Sequence, residues 1–167
     1  MAEHENWYLP YMDKKTKGVE VEERPHPVAV FYCAGASNVG QSTISACQGA
    51  VREVGYAKAA LMCLASISAE LPNITNGTKQ SKGILAVDGC PMQCAKRTLV
   101  KFGFTPDDSV VISRDYEIKK NFVVVGEEGM DKVAQDLARR IEAIDARQDA
   151  ELQDSKGVEA KDNTKGE

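Results

Sequence analysis

The sequence has no long apolar run, no excess of positive charge and few histidines, and each absence argues against a class of protein. No stretch reaches the roughly 20 apolar residues of a transmembrane helix, and the amino terminus is polar and acidic, unlike a secretory signal. The formal net charge is -4, so we do not expect the basic surface that binds nucleic acid or anionic membranes. We therefore predict a cytoplasmic protein with no nucleic-acid partner and no membrane partner.

The two histidines, His4 and His26, both lie in the first 27 residues. A catalytic zinc ion usually has mixed ligands and keeps one coordination position open. The chain instead has five cysteines, which a reducing compartment keeps as thiols. This composition favours a closed structural or metal-handling site built from cysteines.

The 167 residues divide into an arm, a domain and a tail. Residues 1–27 are predicted to be an irregular acidic arm, and residues 28–147 have the size and apolar content of one domain. Residues 148–167 are charged and nearly free of apolar side chains, so burial cannot offset their ordering entropy and we predict a disordered tail. The arm also contains an aromatic group that we expect to dock on the domain or on a protein partner: Trp7, Tyr8 and Tyr11.

Within the central domain, short apolar runs alternate with segments of helical periodicity. Strands are predicted at 28–33, 58–65 and 83–90, with candidates for a fourth and a fifth at 109–113 and 121–126. Helices are predicted at 40–54, 91–103 and 128–147. Residues 68–82 are ambiguous, because Pro72 and the Asn76-Gly77 pair interrupt the pattern. The predicted fold is a single three-layer, Rossmann-like α/β domain, with a mostly parallel sheet of about four strands flanked by helices.

Four cysteines fall where these predicted strands end. Cys33 ends the first strand, Cys63 lies near the end of the second, and Cys90 closes the third, with Cys94 one helical turn later. Ligands of open α/β sheets bind at the carboxyl ends of the strands, so we expect the four thiols to gather at one edge. Zn²⁺ accepts four thiolates in a tetrahedron, and the amino terminus of a helix at Cys90 would favour the thiolate form that ligation requires.

Two other residues near these motifs have simpler interpretations. Free cysteine is common in protein cores, and Cys47 lies on the apolar face of its helix, so we interpret it as a core residue. Asp88 is either an acceptor or general base beside the metal, or a polar residue that ends a strand and feeds the next helix. The sequence leaves both interpretations of Asp88 open.

The segments CAGASNVGQ at 33–41 and VDGCPMQCA at 87–95, with Cys63 between them, resemble the DGC-domain family of zinc-binding proteins. The family is named for the Asp-Gly-Cys that stands here at 88–90, and the resemblance covers most of the central domain. It implies zinc binding and says little about a reaction. The ligands that it implies are Cys33, Cys63, Cys90 and Cys94.

A competing motif runs from Gly35 to Ser42 and has the spacing of a phosphate-binding loop between a strand and a helix. Gln41 replaces the lysine that meets the β and γ phosphates, so we do not expect nucleotide hydrolysis. Backbone amides at the start of a helix can still hold a phosphate or carboxylate, unless the glycines only form a tight turn. The predicted anion-binding residues are Ser37, Asn38, Gly40 and Gln41.

Three functions remain open, and whether the protein is an enzyme is open with them. The one we favour is a zinc-binding protein whose site stabilises the fold or passes metal to a partner. The second is a thiol redox or sulfur-transfer enzyme that uses Cys90 and Cys94, although C-x3-C is a weaker signature than C-x2-C. The third is an iron–sulfur protein, because four cysteines also suit a cluster.

Overall fold

Four short apolar segments pair as a parallel sheet in the computed structural model, which describes residues 27–162. The strands are β1 (Val28–Tyr32), β2 (Ala59–Met62), β3 (Ile84–Asp88) and β4 (Asp108–Val111). The helices are α1 (Asn38–Val54), α2 (Leu64–Ser68), α3 (Pro72–Lys79), α4 (Cys94–Lys101), α5 (Ile112–Asp115) and α6 (Asp131–Asp162). The predicted arm, with Trp7, Tyr8 and Tyr11, lies outside the described residues except for Pro27.

The strand order in the sheet is β2-β1-β3-β4, and every neighbouring pair is parallel. Tyr32 of β1 is level with Val87 of β3, and Asp88 is level with Val111 of β4. The carboxyl ends of all four strands therefore lie on the same side of the sheet. We call this side the cysteine edge, after the residues that follow three of the strands: Cys33, Cys63, Cys90 and Cys94.

Apolar side chains cover both faces of the sheet. Along β1, Val30 packs with Cys47 of α1 and Leu137 of α6 on one face. The next residue, Phe31, packs with Leu99 of α4 on the other face, because successive side chains of a strand point to opposite sides. The predicted α/β domain with helices on both sides of a parallel sheet is confirmed, and Cys47 is a core residue as predicted.

The sheet has the predicted four strands, and the candidate fifth strand at 121–126 does not form. Residues 121–126 form an exposed loop, although their composition is typical of a strand. The chain leaves the sheet when β4 passes directly into α5 at Ile112, and the ends of the loop are instead held by side chains of α1. Residues 121–126 therefore have a high strand propensity but no neighbouring strand to pair with.

Several predicted boundaries also shift. The strand predicted at 58–65 ends at Met62. The ambiguous segment 68–82 contains α3, which starts at Pro72. The first turn of a helix suits proline, because an amide there would have no helical partner. The helix predicted at 91–103 begins only at Cys94, so Pro91 lies in a preceding turn and not in the first turn of the helix. Gln93 just before this helix has a positive φ of 51°, which marks the change of chain direction.

The last helix runs from Asp131 to Asp162, whereas the sequence predicted 128–147. Gly129 has a φ of 70°, which keeps the preceding residues out of the helix. Nine of the fifteen residues from 148 to 162 are alanine, leucine, glutamate, glutamine or lysine, which favour a helix by intrinsic propensity. The segment predicted as a disordered tail is therefore helical up to Asp162, and residues 163–167 lie outside the described part. Between residues 27 and 162, no helix is long and apolar enough to cross a bilayer.

Charged side chains tie α6 to the start of β4. Arg140 donates to Asp136 and to Asp108, each at 2.8 Å, and the hydroxyl of Tyr116 donates to Asp136 at 2.6 Å. The hydrogen bond from Arg140, followed by that from Tyr116, lowers the pKa of Asp136 from its usual 3.8 to about 2. The ionised carboxylate of Asp136 is thus the form that the folded protein favours.

We expect Asp136→Asn to remove a pH-dependent contribution to stability. A carboxylate whose pKa is lowered on folding stabilises the protein above its unfolded pKa, and this stabilisation is lost as the pH falls from about 4 to about 2. Asp136 is partly exposed, so solvent screening keeps the loss at pH 7 below about 1 kcal/mol. Urea unfolding across this pH range measures the effect: wild type and variant should converge in acid. Glu53→Gln, at an exposed carboxylate in the last turn of α1, should match wild type throughout. A constant difference at every pH would contradict this origin of the stabilisation.

Candidate metal centre at the cysteine edge

The strand order places the three strands that lead into the cysteines side by side. β1, which leads to Cys33, lies between β2, which leads to Cys63, and β3, which leads to Cys90. Neighbouring strands are separated by about 4.8 Å, so the backbones at these positions lie close together. The sequence predicted a common edge, but it could not supply this order.

Cys33 and Cys94 are neighbours, close enough for Cys94 to affect the ionisation of the Cys33 thiol. Burial, the neighbouring Cys94 and the carboxylate of Asp88 together raise the pKa of Cys33 to about 11. The backbone at Cys33 is fixed, because its amide donates to Val87 at 3.0 Å and its carbonyl accepts from the Thr43 hydroxyl at 2.6 Å. Cys33 is therefore a protonated thiol at neutral pH, and its environment would favour the thiolate only beside a cation.

Asp88 caps the helix that carries Cys94. Its side chain is 1% exposed, and its two oxygens accept from the amides of Ala95 at 2.7 Å and Lys96 at 3.1 Å. Burial raises the pKa of Asp88, while these two hydrogen bonds oppose that rise. The sequence left two interpretations open, and the contacts match the second, a residue that ends β3 and feeds the next helix. A role as an acceptor beside a metal stays a prediction.

The other two cysteines have different neighbours. Cys63 is exposed at the start of α2, where hydrogen bonds from Ser66 lower its pKa, and it lines an open cavity of about 410 Å³. The ammonium of Lys120 donates to Cys90 Sγ at 3.4 Å. The helix expected at Cys90 starts four residues later, so Cys94 is its first residue.

These positions can be compared with the donor set that a metal requires. Within residues 27–147, whose side chains the structure describes, no group of three or more His, Cys, Asp or Glu side chains is close enough to hold a metal ion. Of the four predicted ligands, the structure brings together Cys33 and Cys94. Cys63 and Cys90 lie at the same edge without joining that pair, so the thiol pair supplies part of a tetrahedral donor set.

Gly89, between Asp88 and Cys90, is packed against the start of α1. A β carbon at this position would lie 2.7 Å from the carbonyl oxygen of Val39 and 2.8 Å from the amide nitrogen of Gly40. The Asp-Gly-Cys segment therefore needs glycine here because two backbones approach closely. This contact fixes where the chain turns toward Cys90.

The predicted anion-binding residues are engaged within the protein. The Ser37 hydroxyl accepts from the amide of Gly40 at 3.2 Å, and the Gln41 side chain donates to the carbonyl of Gly35 at 3.0 Å. Both contacts build the turn that starts α1, which fits the simpler interpretation of a tight turn. Anion binding by Ser37, Asn38, Gly40 and Gln41 stays a prediction.

Asn38 has a role that sequence reasoning missed. Its buried side chain donates to the carbonyl of Lys119 at 2.9 Å and to the carboxylate of Glu127 at 2.6 Å, and it accepts from the amide of Asn121 at 2.7 Å. The Ser42 hydroxyl also accepts from the amide of Glu127 at 2.8 Å. We call residues 119–127 the apolar loop; both of its ends are thus clamped to α1. A local pattern gives no signal for contacts between residues more than 80 positions apart.

The fold and the edge define a class of protein: a parallel α/β domain with thiols at the carboxyl ends of adjacent strands. The family model for the DGC domain matches residues 29–141, more than half of the chain. The chain therefore belongs to the DGC domain family, which confirms the resemblance found in its sequence.

A curated relative supports the same assignment. Over 110 residues the chain is 31% identical to the anaerobic and virulence modulator AnvM of Pseudomonas aeruginosa, and the alignment covers 66% of this chain and 76% of that protein. No solved structure matches the chain.

Proposed function

We propose that this protein binds zinc at the cysteine edge, in a site open enough to exchange the metal with a partner. The observation that carries the proposal is the proximity of Cys33, which follows β1, to Cys94, which begins the helix after the neighbouring strand β3. Two neighbouring thiols supply two donors of the kind that Zn²⁺ prefers in cysteine-rich sites.

Cys63 and Cys90 are the residues that would complete the donor set. Cys63 follows β2 and Cys90 follows β3, the two strands on either side of β1. Hydrogen bonds from Ser66 lower the pKa of Cys63, which makes its thiolate easier to form. Zinc would supply the positive charge that replaces the thiol protons, and this charge would stabilise the thiolate of Cys33 despite its raised pKa. Metal uptake is therefore expected to release protons and to weaken in acid.

The surroundings of the thiols favour metal handling over a purely structural role. Cys63 and Cys94 are exposed, so a partner could reach the ligands directly. The domain also has apolar cores on both faces of its sheet, and a domain of this size can form such cores without the metal that a domain of a few tens of residues needs.

Metal content per chain tests this proposal, measured by plasma mass spectrometry on protein purified without oxygen or chelator. We expect about one zinc per chain in wild type, and far less in Cys33→Ser and Cys94→Ser, because each removes half of the thiol pair. Cys47→Ala is the matched control, since it deletes a thiol that is buried in the core away from this edge, and it should retain zinc.

The outcomes separate the alternatives. Zinc retained equally in Cys94→Ser would contradict the site, and metal-free wild type would contradict zinc binding altogether. Iron together with inorganic sulfide would show a cluster in place of zinc. A smaller loss in Cys63→Ser and Cys90→Ser than in the variants of the thiol pair would agree with their positions away from it.

A second candidate function is a thiol–disulfide switch, and the proximity of Cys33 to Cys94 favours that pair over Cys90 and Cys94. In reaction with a low-molecular-weight disulfide, the Cys94 thiolate would attack first, forming a mixed disulfide and releasing one thiol of the reagent. Cys33 would then attack the sulfur of Cys94 in that mixed disulfide and release the second thiol. The two protein thiols are thereby oxidised, and the reagent is reduced to two thiols. The raised pKa of Cys33 makes it a poor attacking thiolate, so we rank this function second. Peptide mapping of the metal-free protein after oxidation would reveal a Cys33–Cys94 bond if it forms.

A further inference from the structure

The tip of the apolar loop exposes four consecutive large apolar side chains. Their exposed fractions lie between 59% and 86%. Single apolar residues on a surface are ordinary, whereas a contiguous group marks a surface that something covers. The four residues are Phe122, Val123, Val124 and Val125.

This tip is held in place. Asn38 binds the backbone at Lys119 and Asn121, and Ser42 binds the amide of Glu127, so both ends of the loop are fixed to α1. A β carbon at Gly126 would lie 3.4 Å from the backbone of Gln41, which shows how closely the loop approaches the helix. A fixed apolar surface loses less entropy on binding than a mobile one.

We propose that residues 3–15 of the amino-terminal arm dock on this tip, with Trp7, Tyr8 and Tyr11 covering its apolar side chains. This inference does not depend on zinc binding. The arm lies outside both the described residues and the region that matches the DGC family model.

Charge supports this choice of occupant. The loop has Lys119 and Lys120 before its apolar tip and Glu127 after it, and Glu128 follows the loop. The arm has the opposite order: Glu3 and Glu5 precede the aromatic group, and Lys14 and Lys15 follow it. Aligned in the same chain direction, acid meets base at both ends while the apolar segments face each other.

The length of the arm permits the contact. Residues 12–27 connect the aromatic group to β1 and can extend to roughly 50 Å at about 3.3 Å per residue. The cysteine edge, which the loop reaches through Lys120 and Cys90, is one strand length from the start of β1, or about 17 Å. The arm can therefore reach the tip without disturbing the sheet.

A second copy of the chain is a weaker occupant. A stable dimer buries about 800 Å² on each partner, far more than four residues of a loop tip provide. A tethered segment needs much less contact area, because its effective concentration near the loop is of millimolar order. The small size of the tip therefore favours an intramolecular contact.

Trp7 is the only tryptophan in the chain, so tryptophan fluorescence of the full chain reports on the arm alone. We expect blue-shifted emission and slow acrylamide quenching in wild type. Phe122→Ser with Val124→Ser should red-shift the emission and raise the quenching constant to that of a synthetic peptide of residues 1–24. The matched control is Tyr56→Ser with Val100→Ser: these side chains are 76% and 57% exposed, against 86% and 59% for Phe122 and Val124, and the control should behave as wild type.

Three outcomes would overturn the proposal. Quenching of Trp7 in wild type as fast as in the free peptide would show that the arm does not dock. Slow quenching that the loop variant leaves unchanged would place the arm elsewhere on the domain. A dimer in sedimentation velocity that the loop variant dissociates, with Trp7 exposed in both states, would identify a second copy as the occupant.

Discussion

Gly89→Ala is expected to destabilise the domain by about 3 kcal/mol, at the upper end of the usual range for overpacking. The new methyl group would lie 2.7–2.8 Å from backbone atoms of Val39 and Gly40, where no side chain can rotate away to make room. Relief requires α1 or the turn after β3 to move. Either movement also disturbs Thr43 and Asp88, which fix the backbone at Cys33 and the start of α4.

Urea unfolding followed by circular dichroism measures this loss, with Gly77→Ala as the control. Gly77 lies within α3, where a β carbon would have only the Met62 methyl group near it, at 3.9 Å. Alanine there should raise stability by about 0.5–1 kcal/mol, because it lowers the entropy of the unfolded chain. A loss below about 1 kcal/mol for Gly89→Ala, within the range of ordinary substitutions, would show that the contact with α1 relaxes easily.

The three-layer architecture could be predicted because each of its elements carries its own signal. β1 and β3 are continuous apolar runs, as strands buried on both faces require, and α6 has an apolar stripe at helical spacing. Their alternation indicated parallel pairing, and parallel pairing placed Cys33, Cys63 and Cys90 at one edge. Local periodicity, together with the rule that strands joined by helices pair in parallel, was sufficient to predict the layers and the shared edge.

The features that could not be predicted depend on contacts between distant parts of the chain. Residues 121–126 have the composition of a strand, but hydrogen bonds from Asn38 and Ser42 hold their ends in a loop. The start of α4 at Cys94 depends on the side chain of Asp88, which no helix-propensity pattern includes. Cys94, the first residue of α4, and not Cys90 is the neighbour of Cys33.

Asp88→Ala is expected to cost about 2–3 kcal/mol and to increase the reactivity of Cys94. The substitution leaves the amides of Ala95 and Lys96 without their acceptor, and each unsatisfied buried donor costs about 1–3 kcal/mol. Removal of a buried carboxylate, whose raised pKa shows its own desolvation cost, offsets part of that loss.

Asp88→Asn provides the graded comparison, because its single carbonyl oxygen can accept from only one of the two amides at full strength. We expect about half the loss of Asp88→Ala in urea unfolding. Cys94 is the first residue of α4, so a weaker cap should fray the turn that holds it. Alkylation followed by peptide mapping should label Cys94 fastest in Asp88→Ala, more slowly in Asp88→Asn and most slowly in wild type. If Cys94 is labelled at the same rate in all three proteins while Asp88→Ala is much less stable, Asp88 stabilises the fold but does not position Cys94. A graded increase would show that Asp88, which closes β3, also positions the Cys94 thiol beside Cys33.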